Sequence, residues 1–130
     1  MKRVLSVVPL LALLLCGCGS ASVNVGRSEL YSQEELQAAV DVVLADFEQH
    51  ESSRRLIRLE YDEELTLREA EYRAEHYGEE AVIVLVTDFY VKRSAVAVGA
   101  LVPGSTCTDY QWILTRDPDG QWVVRDKGYG

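Results

Sequence analysis

The sequence holds three cysteines, three prolines, two histidines and one methionine in 130 residues, and each shortage closes off a class of protein. Three cysteines are too few for a disulfide-framed scaffold, and so little proline argues against a collagen-like or low-complexity chain. With two histidines, no HExxH and no CxxC, a zinc site lacks ligands, and no metal is expected. GxSxG, SxxK and nucleotide-binding glycine patterns are also missing. Neither an activated serine nor a phosphate cradle has a candidate, and no cofactor is expected. Cations are scarce too, 13 against 21 acids for a net charge of −8. Their two dense clusters, Arg54-Arg55-Arg58 and Lys92-Arg93, sit among acids, so nucleic acid is not an expected partner.

What is present describes one small globular unit. Hydrophobic residues make up 48% of a chain whose length matches the commonest domain size of about 100–150 residues. The start is different in kind. Lys2 and Arg3 precede an apolar run from Val4 to Leu15, broken only by Ser6 and Pro9, and then Cys16-Gly17-Cys18. That pattern is an export signal, and its apolar part falls short of the roughly 20 residues a membrane-spanning helix needs. Leu15-Cys16-Gly17-Cys18 resembles the bacterial lipobox, which implies a diacylglycerol on Cys18 and an anchor in the membrane. Cys16 fits worse because bulky Leu15 precedes it; an ordinary signal peptide is the alternative. The expected organisation is signal peptide 1–17, lipidated cysteine and flexible tether 18–30, and one domain 31–130. Cleavage removes two cations and no acid, taking the net charge from −8 to −10. Cys107 is then the one thiol left, read as a small buried hydrophobe.

Within the domain the periodicity switches between helix and strand. Ser32 and Glu35 form a capping box, and Leu36, Val40, Val43, Leu44 and Phe47 make one apolar stripe of a helix. Alternation from Leu56 to Tyr61 predicts a half-exposed strand, with Ile57, Leu59 and Tyr61 on one side. Thr66 with Glu69 predicts a second capping box, opening a helix that ends at Gly78. The β-branched run from Ala81 through Val91 predicts a central strand. Residues 92–109 are expected to be a long loop with a brief strand at 94–98. Strands at 110–115 and 121–127 should then form a hairpin about Asp117-Pro118-Asp119-Gly120, a turn rather than a calcium loop. Trp112 and Trp122 are candidates for an aromatic pair across it. The fold class is α+β: two helices on one face of a curved, mainly antiparallel sheet of four or more strands, in the order α-β-α-β-β-β.

The lipobox, Tyr31-Ser32-Gln33-Glu34-Glu35, Tyr61-Asp62-Glu63-Glu64, the strand 82–86 and the phrase Ser105-Thr106-Cys107-Thr108-Asp109-Tyr110-Gln111-Trp112-Ile113-Leu114 together resemble a family. It is a family of small lipoproteins and secreted proteins of gut Firmicutes with a domain of unknown function. Cys107 stands where that phrase would carry an aromatic. The element order is also similar to the roll of cystatins and nuclear transport factor two, by analogy. His50 and His76 are read as helix-end residues. Trp112, Trp122, Tyr110, Asp88 and Tyr90 are the residues expected to contact a ligand or partner.

Two functions follow from different classes. One is a non-enzymatic domain held by lipid outside the cytoplasm, binding an envelope protein or a small ligand. The other is a roll-type isomerase, dehydratase or hydrolase, which requires a deep pocket where an acid such as Asp88 lies beside a tyrosine; Tyr61 and Asp109 are the further polar residues near strand ends. A self-associating homodimer is a third reading.

Overall fold

The computed structural model describes residues 21–78, 81–93 and 101–129; the lipobox with Cys18, and the strand expected at 94–98, lie outside the described residues. The elements are β1 (Ser22–Asn24), α1 (Gln33–Gln49), β2 (Arg54–Tyr61), α2 (Glu63–Tyr77), β3 (Val82–Val91), β4 (Thr106–Arg116) and β5 (Trp122–Tyr129). The strands form one open sheet in sequence order, β1 parallel to β2 and every other pair antiparallel. The class is α+β, as expected; the parallel β1 makes the sheet mixed and puts a strand ahead of the expected order.

Four corrections carry physical content. First, residues 22–24 are not loose tether but a strand, with Ser22, Val23 and Asn24 opposite Arg58, Leu59 and Glu60. The chain stays docked beyond it: the Ser28 hydroxyl donates to Glu63 Oε1 at 2.6 Å, Glu29 N–H donates to Glu63 Oε2 at 2.8 Å, and Gln33 Nε2 donates to the Gly26 carbonyl. Second, α2 starts a turn early. Asp62 is its N-cap, accepting from Leu65 N–H at 2.8 Å, because an Asp four residues ahead offers a strong cap before Thr66 can. Thr66 has a different task. Its fully buried hydroxyl accepts the N–H of Val84, where β3 has run past the end of β2, and Tyr31 Oη accepts the N–H of Val82 likewise. Buried strand donors left without a ladder partner are thus satisfied by side chains.

Third, the helices lie on opposite faces. Leu36, Ala39, Val40, Val43 and Phe47 of α1 cluster with Leu59, Ile83, Leu85, Phe89, Trp112 and Leu114. Leu65 and Ala70 of α2 pack instead on Val82, Val84 and Ile113. Neighbouring residues of a strand point to opposite sides, so Ile83 and Val84 cannot serve one helix. The small apolar face of α2 matches its smaller cluster. Fourth, the loop after β3 is shorter than expected, because β4 begins at Thr106 and places buried Cys107 opposite Phe89. A bulge hid this start: the register shifts between Thr87 and Phe89, and Asp109 takes a left-handed φ of 55°.

The local signals that did survive are strong ones. Ser32 and Glu35 close the capping box, Gly78 ends α2 at φ 72°, and Gly120 N–H donates to the Asp117 carbonyl at 2.8 Å in the hairpin turn. Gly120 adopts φ 84°, the reason a glycine closes that turn.

Candidate functional site

Side chains fill the space between α1 and the sheet, where a roll-type enzyme would need its pocket. Leu36, Val40, Val43, Ile83, Leu85, Phe89, Trp112 and Leu114 are all fully buried there. Trp112 is the largest, and its indole N–H donates to Thr87 Oγ1 at 2.8 Å, so even its polar atom is used internally. Phe47 leans on Phe89 and on Trp112 with ring centroids 5.3 and 5.4 Å apart.

The five residues expected to meet a ligand do not form one site. Trp112, Trp122 and Tyr110 belong to the α1 face, while Asp88 and Tyr90, at even positions of β3, lie on the other. Trp112 is unavailable to any partner. Trp122, 7% exposed, meets Tyr31 edge-on at 5.7 Å, and the Arg116 guanidinium lies 4.7 Å from its ring. The two tryptophans do not cross the hairpin, because Trp112 stands opposite Lys127 and Trp122 opposite Arg116. Tyr110 is sandwiched between Phe89 and Tyr129, and burial pushes its hydroxyl pKa up. The neighbouring Cys107 thiol pushes the Tyr129 hydroxyl up to about 12. Tyr90 takes the Arg55 guanidinium at 5.4 Å over its ring.

Asp88 is held as an acceptor. Arg58 Nε and Nη2 donate to its two oxygens at 2.8 and 3.0 Å, and Asp109 N–H adds a third bond at 2.9 Å. The same Arg58 reaches Glu60 at 2.7 Å and Asp109 at 3.2 Å. Arg58 therefore holds the Asp88 carboxyl below the usual carboxylate range, and Asp88 in turn raises the Arg58 pKa. A carboxylate so committed is a poor proton acceptor near neutral pH. The cluster ties β2, β3 and β4 together and accounts for the strained Asp109, whose N–H it uses.

A second carboxylate is committed in the same way. Glu63 accepts from Ser28, from Tyr61 at 2.6 Å and from the Glu29 backbone; these bonds, Ser28 first, lower its pKa. Burial, then Glu63, pushes Tyr61 up to about 12. The rings of His50 and His76 bring Nδ1 within 2.8 and 2.9 Å of the carbonyls of Asp46 and Tyr72, four residues back, which suits helix-end roles.

Sequence reasoning missed an open groove of about 460 Å³ between the start of α1 and the β4–β5 hairpin. Glu34, Ala38 and Val42 form one wall and Gln121 and Trp122 the other. Arg116 and Glu35 close it with an ion pair at 2.6 Å. Glu35 was legible as a capping residue, but nothing local in the sequence announces a partner 81 positions away. The groove marks one end of the molecule. At the other, α1 finishes beside the start of β2, where Arg54 donates to Asp46 at 2.9 Å and covers the Phe47 ring.

Among the described residues no His, Cys, Asp and Glu groups are placed to hold a metal ion, and no helix is long and apolar enough to cross a membrane. The chain matches no family model, no curated protein and no solved structure.

Proposed function

We propose that the chain is a lipid-anchored extracytoplasmic module that binds an envelope protein and performs no chemistry of its own. The observation that carries the reading is the filled interior: among the described residues, fully buried side chains of α1, β3 and β4 occupy the space between helix and sheet where a roll-type enzyme would hold its substrate. The carboxylate nominated as its base is locked to Arg58. The surface offered for binding is the groove of Glu34, Ala38, Val42, Gln121 and Trp122, which combines apolar and polar side chains with the Arg116–Glu35 ion pair. Anchoring at Cys18 rests on the lipobox. The finer fold reading, a roll of the cystatin or nuclear-transport-factor-two type, is supported by one long helix laid along a mainly antiparallel sheet.

In intact cells, a photocrosslinking side chain at Gln121 is expected to trap an envelope protein, and Ala38→Arg to abolish the trap without changing the melting temperature. Equal labelling from the same probe at Glu71, on the outside of α2, contradicts the reading. A second reading, a homodimer, is favoured by one observation: the outer edge of β5 has no strand partner among the described residues. Light scattering of the detergent-solubilised protein separates the two.

A further inference from the structure

We propose that the end of the sheet bearing Arg55, Lys92 and Arg93 rests on anionic lipid headgroups, so that the domain stands against the bilayer with its groove facing away. The proposal rests on the Cys18 anchor and adds an orientation and a lipid chemistry to it.

Chain length sets the reach. Were all of 18–30 loose, the tether would span on the order of 45 Å at about 3.5 Å per residue. Because β1 pairs from Ser22 onward and Ser28 is fastened to Glu63, four residue steps separate Cys18 from the sheet, at most about 14 Å. Direction then selects the end. β1 runs parallel to β2 with Ser22 opposite Arg58, so a chain followed backwards from Ser22 heads toward the start of β2 at Arg54 and Arg55. β3 finishes at the same end, with Arg55 opposite Tyr90 and Lys92 N–H donating to the Ser53 carbonyl at 2.8 Å.

Two basic runs that look unrelated in the sequence therefore meet beside the anchor. Arg54 is paired with Asp46, and Arg58 with Asp88, Glu60 and Asp109. Arg55, Lys92 and Arg93 enter no ion pair among the described residues, and Arg55 and Arg93 are exposed. Glu48 near the end of α1 and Glu51 after it are the acids closest to this end that enter no ion pair among the described residues, so its three unpaired cations outnumber them by one; the Arg58 cluster, where one cation meets three carboxylates, lies further along the sheet. In a chain of net charge −10 after cleavage, an end with a surplus of cations is the exception, and chain length holds Cys18 within about 14 Å of Ser22. Range decides whether this matters. Screening confines such attraction to about 8–10 Å, a length comparable with a tether of at most about 14 Å and far shorter than one of about 45 Å.

The test uses lipidated protein in bilayer nanodiscs carrying a headgroup nitroxide, with or without phosphatidylglycerol, and reads paramagnetic broadening of backbone amides. With phosphatidylglycerol present, the amides of 53–57 and 90–93 are expected to broaden about three-fold more than those of 117–121, and Arg55→Glu, Lys92→Glu and Arg93→Glu together to erase the contrast. Equal broadening at both ends, stronger broadening at 117–121, or a contrast that survives the triple reversal overturns the proposal while leaving the anchor standing. Protein that fails to enter the discs overturns both.

Discussion

At the scale of single residues, Thr87 and Asp88 are neighbours with opposite surroundings. Thr87 is fully buried on the α1 face and accepts the Trp112 indole N–H. Thr87→Val keeps the shape but leaves that donor unsatisfied, and is expected to lower stability by about 1–3 kcal/mol in urea denaturation, with Thr87→Ser close to wild type. Asp88 sits on the other face, and its stabilising charge depends on pH. Arg58 lowers its folded pKa, so the contribution is present above the unfolded value of about 4 and is lost as pH falls through the depressed folded value. Asp88→Asn is accordingly expected to be less stable than wild type at pH 7, the difference shrinking below about pH 4, as read from melting temperatures across that range. Neither environment could be seen in the sequence. The alternation of β3 assigns the two residues to different sides, but the groups that meet them come from β2 and β4, and Arg58 and Asp109 stand 30 and 21 positions from Asp88.

Among the elements, α1 and the hairpin were legible because their signals are local: a capping box spans four residues, and a proline-glycine turn needs no distant partner. β1 was illegible for the opposite reason. Three residues carry no usable period, and Ser22–Asn24 becomes a strand because β2 offers an open edge. The start of α2 fell between these cases, since Asp62 and Thr66 both suit a cap and only the buried Val84 N–H assigns Thr66 elsewhere. The Ser28–Glu63 bond should govern how firmly the N-terminal segment stays docked. Ser28→Ala is expected to raise hydrogen exchange of residues 22–31 about ten-fold while leaving the core of β3 and β4 unchanged, the mark of a local opening. Acid should do the same. Glu63 has a lowered pKa, so its hold is complete above the usual carboxylate value and released as pH drops through the folded one.

On the scale of the whole molecule, the chain has two distinct ends. β4 spans 11 residues, about 36 Å of strand, from the cationic end near Thr106 to the groove beside Arg116. The lipid is expected at the first and a partner at the second. That polarity was out of reach from the sequence, where Arg54-Arg55-Arg58 and Lys92-Arg93 are separate runs among acids and the antiparallel pairing of β2 with β3 is what unites them. The resemblance of Leu15-Cys16-Gly17-Cys18 to a lipobox, by contrast, is read residue by residue and needs no fold. The account stands on it, and the most direct measurement is the intact mass of the protein extracted from membranes. The expected species begins at Cys18 and carries a diacylglycerol there; a full-length chain that retains residues 1–17 and no lipid contradicts the account.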